Sequence, residues 1–207
     1  ALIHSEWSKN SHEIILYGNT DTQKPILQCM DAKTLRMKNR VDVSNYHKSG
    51  GISTLLLSHD GTMVISPCMD NTCSVSDYET GALKYKLQHS ANVYFARLSP
   101  NQQMLMVGDW LGFRLWDPYS GKPLTSYVKL GEGMRGAQFL EEGKRLRIVT
   151  MNANVFDYEI SGLPPQQQKI KDTTSSLAVN DGASLILGHE GKLSEWGETE
   201  GAYRKRN

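Results

Sequence analysis

Short apolar runs alternate with polar, turn-forming clusters along the whole chain, and no stretch keeps a helical spacing of apolar positions. The clearest pattern extends from His89 to about Tyr127. Residues 93–98 mix apolar and polar positions and stop at the turn Ser99-Pro100-Asn101-Gln102. Residues 104–107 (Met-Leu-Met-Val) are continuously apolar, as in a strand covered on both faces. A turn through Gly108 and Gly112 leads into Phe113-Arg114-Leu115-Trp116, which alternates. Residues 118–123 form a third turn, and 124–128 read as a more polar fourth strand. Four strands in about 40 residues, joined by short turns, predict an antiparallel meander.

The same plan recurs. One unit takes its strands from 52–57, 63–66 and 73–76, with Ser58-His59-Asp60-Gly61 as its first turn. Another uses 136–140, 146–150 and 154–156, and a last one 176–179, 184–187 and 192–196. A looser first copy covers 3–7, 12–17, 25–30 and 35–43, with the turn Asp31-Ala32-Lys33-Thr34 before its last strand. Four endings mark the period: Ser76-Asp77…Gly81, Trp116-Asp117…Gly121, Phe156-Asp157…Gly162 and Trp196-Gly197…Gly201. Asp77, Asp117, Asp157 and Gly197 stand 40 residues apart. The three aspartates are expected to cap turns, each carboxylate accepting backbone N–H groups two residues on. The expectation is an all-β chain with helix nearly absent, one domain over 1–207 in units of about 1–45, 46–88, 89–130, 131–172 and 173–207.

These residues resemble the WD repeat family of β-propellers, over almost the whole chain. His89, Ser99-Pro100, Trp116-Asp117 and Gly121 follow the family's order in one unit. His47, Ser58-His59-Asp60-Gly61, Ser66, Asp70 and Asp77 follow it in the preceding one, and Asn180-Asp181-Gly182, Glu190-Gly191 and Trp196 follow it more loosely in the last. The resemblance implies a propeller of four-stranded antiparallel blades, about five in this chain. It also implies a hydrogen-bonded His, Ser/Thr, Asp and Trp network within a blade, which no unit here carries whole. Ser76 stands where Trp is expected after His47, Ser66 and Asp70. The unit with His89 and Trp116 reads as having a lengthened turn that sets Asp109 one residue out. Seven blades, the usual number, would need roughly 280 residues. A start at Ala1 and an end at a fourth strand over 202–205 favour a segment of a larger ring over a five-bladed one.

Composition changes this picture little. A net charge of +1 offers no global field for nucleic acid or an acidic membrane, and no apolar run approaches the roughly 20 residues of a membrane helix. Basic residues at 33–48 and 204–206 fall on fourth strands, where charge protects an edge. The three cysteines, Cys29, Cys68 and Cys73, show no paired spacing. Cys68 and Cys73 either face each other across a hairpin or are buried thiols, and the second reading points to a cytoplasmic or other reducing compartment. No hydrolase, metalloprotease or phosphate-loop signature is present, so neither catalysis nor a cofactor or metal is expected.

The resemblance implies a scaffold or adaptor that binds other proteins through one rim of loops. That rim would show Tyr46, Asn92, Met134 and Arg135 from the loops leading into first strands. Met69, Asn71, Trp110, Leu111, Met151 and His189 would come from the turns between second and third strands. Trp110, read as lying in an inserted turn between glycines, is the expected anchor, because Trp and Arg dominate binding hot spots. The other outcome is that Trp110 folds back onto a neighbouring blade. His47, Ser66, Asp70, His89, Trp116, Asp117 and Trp196 are expected to be structural. Two further functions stay open: a propeller enzyme or small-ligand binder with a central pocket, and a regulatory or sensory domain of a longer signalling protein.

Overall fold

The computed structural model describes the backbone of residues 2–7, 12–19, 25–47, 51–160, 162–169, 176–180, 184–189, 192–199 and 202–205. Side chains are described at 5, 7, 12–18, 26–43, 45–47 and 51–160. The described residues form five four-stranded sheets in chain order. Sheet one holds β1 (Leu2–Trp7), β2 (Glu13–Asn19), β3 (Pro25–Asp31) and β4 (Met37–Asp42). Sheet two holds β5 (Leu56–Leu57), β6 (Met63–Cys68), β7 (Thr72–Asp77) and β8 (Leu83–Gln88). Sheet three holds β9 (Val93–Leu98), β10 (Leu105–Asp109), β11 (Gly112–Trp116) and β12 (Val128–Lys129). Sheet four holds β13 (Met134–Leu140), β14 (Arg145–Thr150), β15 (Asn154–Glu159) and β16 (Gly162–Lys169). Sheet five holds β17 (Ser176–Asn180), β18 (Ser184–His189), β19 (Lys192–Thr199) and β20 (Ala202–Lys205). Every pairing is antiparallel between consecutive strands, such as β6 with β7 and β14 with β15. The helical segments among the described residues are two three-residue 3-10 turns, Ser44–Tyr46 and Glu141–Gly143.

The continuous apolar second strands have a simple cause: consecutive sheets pack face to face. Val64 and Cys68 of β6 pack with Ile15, Tyr17, Leu27 and Val41 of sheet one. The alternate residues Met63 and Ile65 pack with Val93, Ala96, Leu105, Val107 and Trp116 of sheet three. Met106, Phe113 and Leu115 then meet Phe139, Leu146, Ile148, Phe156 and Tyr158 of sheet four. A strand buried on both faces cannot alternate in polarity. Each such aliphatic side chain contributes about 1.5–3 kcal/mol by leaving water. Along one side of this stack β9 lies beside β6, β13 beside β9, and β17 beside β13.

Register corrects one expectation. Met63, which opens β6, pairs with Asp77, whereas Arg145, which opens β14, pairs with Glu159. Sheet four is therefore two residues out of phase with the spacing of the aspartates. Asp77 caps its turn through the N–H groups of Glu79 and Thr80 at 3.2 and 2.9 Å, and Asp117 does so with Tyr119 and Ser120 at 2.8 and 3.1 Å. Asp31 makes the same turn in sheet one, with Lys33 and Thr34 at 3.1 and 2.7 Å. Asp157 caps nothing of this kind. It lies inside β15, where it accepts hydrogen bonds from Arg145 Nη2 at 2.8 Å and Arg147 Nε at 2.6 Å.

The fourth strand of sheet three also departs from expectation, with β12 reduced to Val128–Lys129. Pro123 has no N–H to give a ladder. A single bridge joins it to Trp116, and the Leu115 N–H turns to Thr125 Oγ1 at 3.2 Å. None of the three cysteines is in a disulfide. Cys73 pairs with Pro67 while Cys68 pairs with Thr72, so the two thiols point to opposite faces of the hairpin.

Candidate binding edge

Three turns at one edge of the stack are built alike. The N–H of Met69 donates to the Gly51 carbonyl at 3.1 Å, that of Trp110 to Asn92 at 3.1 Å, and that of Met151 to Gly133 at 2.8 Å. Donors and acceptors both recur every 41 residues. Each second-to-third-strand turn is thereby tied to the segment leading into its own first strand. The three donors are large apolar residues in turn positions, where strand packing gives them no place. Met69 is 39% exposed, Trp110 45% and Leu111 39%.

First strands break register at this edge. Gly108 faces Phe95 and Asp109 faces Val93, which leaves Tyr94 as a bulge in β9. Met134 faces Thr150 and Gly136 faces Val149, which leaves Arg135 as the corresponding bulge in β13. A bulged residue is re-aimed out of the ladder. Arg135 is exposed there, while the Tyr94 ring meets Trp110 at 5.6 Å between centroids and 58° between planes. Trp110 thus leans on its own sheet and keeps an open face.

The other expected rim residues divide. Asn92 and Asn71 are half-buried, and the Asn71 carbonyl accepts the His89 N–H at 2.9 Å. Met134 lies over Gly108, with Cε 1.7 Å from where a β-carbon would stand, and Met151 covers Gly133 in the same manner. Tyr46 leaves the set: its hydroxyl donates to the Gly81 carbonyl and its ring packs on the core between sheets one and two. Tyr85 repeats that tie one sheet later, donating to the Pro118 carbonyl. The expected rim position His189 ends β18, and the side chains of His189 and Trp196 lie outside the described residues.

Beneath the edge lie two polar networks. In sheet two, His47 Nδ1 is 3.3 and 3.4 Å from the Asp70 carboxylate oxygens, Thr72 Oγ1 donates to Asp70 at 2.5 Å, and His47 Nε2 meets Ser74 Oγ at 3.0 Å. Ser74 Oγ in turn meets Ser66 Oγ at 2.9 Å. Burial holds the His47 imidazole below its ordinary pKa, against the pull of Asp70. In sheet three, His89 Nδ1 is 3.0 Å from Asp109 Oδ2, while Asp109 Oδ1 accepts the Tyr127 hydroxyl at 2.6 Å and the Leu111 N–H at 2.8 Å. Trp116 packs on His89 at 5.8 Å, but His89 Nε2 and Trp116 Nε1 are both buried without a partner.

The expected lengthening of the second turn is reversed. Cys68 pairs with Thr72 around three turn residues, whereas the Gly108–Phe113 pair leaves Asp109 facing Gly112 around two, Trp110 and Leu111. Asp109 comes from the end of β10, at the ladder place of Cys68, and supplies from there the carboxylate that Asp70 supplies from the turn. Serine positions differ too: Val107 stands in β10 where Ser66 stands in β6. Single-residue spacing could not reveal this, because the count from Asp to Trp is lengthened by the same change that shortens the turn.

One group of potential metal ligands occurs among the described residues: His47, Cys68 and Asp70, with donor atoms within 4.8 Å of one another. A separate apolar groove of about 380 Å³, lined by Phe113, Leu115, Tyr127, Tyr158 and Ile160 among others, opens between sheets three and four. No helix of the described residues is long and apolar enough to cross a membrane. No family model matches the chain, and no curated protein matches it either.

Proposed function

We propose that the chain is a non-catalytic interaction module, a WD-like propeller or a segment of one, that presents loops on one edge to a protein partner. The carrying observation is the equivalence of Met69, Trp110 and Met151: three apolar side chains in turns, each set by the same backbone bond, at a constant interval. Aromatic and Met side chains are enriched at binding patches, and Trp and Arg at their energetic centres. Arg135, exposed on its bulge near this row, adds a cation at the margin. A partner segment of aliphatic or aromatic residues with a carboxylate nearby fits that chemistry. The face-to-face stacking of meanders, with first strands side by side, is the arrangement a fan of propeller blades requires.

Affinity capture from cell extract with quantitative mass spectrometry tests this. Trp110→Ala and Arg135→Ala should each lose the same captured protein. Tyr119→Ala, an exposed residue at the opposite edge, should keep it, with all three variants melting within about 2 °C of wild type. Capture that is indifferent to the two edge variants, or that falls only in step with melting temperature, overturns the reading.

A further inference from the structure

We propose that His47, Cys68 and Asp70 form a zinc site that clamps the segment leading into sheet two onto the β6–β7 turn. The proposal is independent of the partner-binding reading. The three residues come from two pieces of chain: His47 precedes the first strand, while Cys68 ends β6 and Asp70 sits two residues on, in the turn. Imidazole, thiolate and carboxylate are the donor types zinc accepts together, at about 2.0–2.3 Å. Donors at those radii on a tetrahedron lie roughly 3.3–3.6 Å apart. His47 Nδ1 stands 3.3 and 3.4 Å from the two Asp70 oxygens, and the three ligand atoms fit within 4.8 Å. Thr72 Oγ1, 3.3 Å from His47 Nδ1, donates to Asp70 Oδ1 at 2.5 Å and so braces the carboxylate of the site.

The surroundings fit a closed, structural site. The His47 and Asp70 side chains are 3% and 5% exposed, and Cys68 is fully buried. The other imidazole nitrogen, Nε2, is engaged by Ser74 Oγ at 3.0 Å, which is backed by Ser66 Oγ at 2.9 Å. Such an outer partner fixes a metal-binding ring so that its free nitrogen faces the ion. A thiolate and a carboxylate carry two negative charges, which one divalent ion cancels inside the protein. Thiolate ligation also separates zinc from magnesium and calcium, which take oxygen donors.

The neighbouring sheets serve as controls. In sheet three the Cys68 place holds Asp109, which closes on His89 to 3.0 Å and fills the space with hydrogen bonds. In sheet four the corresponding residue is Thr150. The three-donor constellation is therefore not a by-product of the repeat.

Titrating metal-stripped full-length chain with cobalt(II) tests the site directly. A thiolate-to-cobalt charge-transfer band should saturate at one ion per chain, and zinc should displace it. Excess zinc should raise the melting temperature by about 5 °C or more. Cys68→Ser should abolish both responses. The double variant Cys29→Ala/Cys73→Ala, which leaves all three ligands in place, should keep the band, so the assignment does not depend on Cys68→Ser folding. No band in the wild-type chain, a band that survives in Cys68→Ser, or a band lost from the folded double variant overturns the proposal.

Discussion

Asp109 reaches His89 at 3.0 Å from the ladder position that Cys68 holds one sheet earlier. The same bond is thus made in two sheets from two different places in the chain. What the substitution does not restore is the far side of the ring. His89 Nε2 and Trp116 Nε1 stay buried without partners, and the ladder places of Ser66 and Ser74 are held in sheet three by Val107 and Arg114.

Val107→Thr keeps the shape of the side chain and adds a hydroxyl within the core cluster that holds Trp116, as a partner for the orphaned nitrogens. A satisfied hydrogen bond is worth about 1 kcal/mol net, and relief of a buried unsatisfied group adds to it. The variant should melt about 2–4 °C above wild type by calorimetry. A lower melting temperature would mean that the hydroxyl reaches neither ring.

Acid should unfold the chain partly through Asp109. Burial alone would raise its pKa, but the bonds from His89, Tyr127 and the Leu111 N–H outweigh burial and hold it below the ordinary carboxylate range. A group lowered on folding contributes stability that is complete above its unfolded pKa, about 3.9, and is lost as pH falls through the folded value. Asp109→Asn should therefore be less stable than wild type at pH 7, with the gap narrowing below about pH 4. Urea midpoints at pH 7, 5, 4 and 3 measure this, and a gap that widens on acidification contradicts it.

The Arg147–Asp157 pair should behave asymmetrically. Arg147 is 1% exposed, with its Nε held by Asp157 at 2.6 Å. Removing only the carboxylate, as in Asp157→Ala, leaves a buried guanidinium short of its acceptor and should cost about 3–5 kcal/mol. Arg147→Met combined with Asp157→Leu should cost much less, because paired apolar residues avoid desolvating charge. Equal losses in denaturant titrations of the two variants would refute the assignment.

Two glycines of sheet three should respond differently to the same methyl group. A β-carbon at Gly112 would stand 2.1 Å from the Val128 backbone oxygen, whereas at Gly108 the obstacle is the flexible tip of Met134. Gly112→Ala should destabilise by about 2–4 kcal/mol or expel β12, and Gly108→Ala by about 1 kcal/mol. Hydrogen exchange at Phe113, whose ladder partner is Val128, separates a lost strand from a global effect.

The meander was legible because its determinants are local. Apolar runs, turn clusters and the aspartates at 77 and 117 each act within a few residues of themselves. Met69, Trp110 and Met151 were legible as turn residues, yet their equivalence was not, since it appears only when each is tied to Gly51, Asn92 or Gly133. Asp157 misled for the reverse reason: its spacing continued the series, while the β6–β7 and β14–β15 hairpins are of equal length and lie 82 residues apart, so Glu159 and not Asp157 holds the ladder place of Asp77.

By itself, the sequence determined that the chain is a succession of short strands and turns, that they form antiparallel units of four, and that helix has almost no part, because those features follow from backbone preference and polarity at short range. Only the tertiary structure decided which residues share a face. It moved Tyr46 from the rim into a tie with the next sheet and Asp109 into the histidine network. It also brought Cys68 beside His47 and Asp70. Each of those outcomes depends on ladder register, and a shift of one residue there turns a side chain from one neighbour to another.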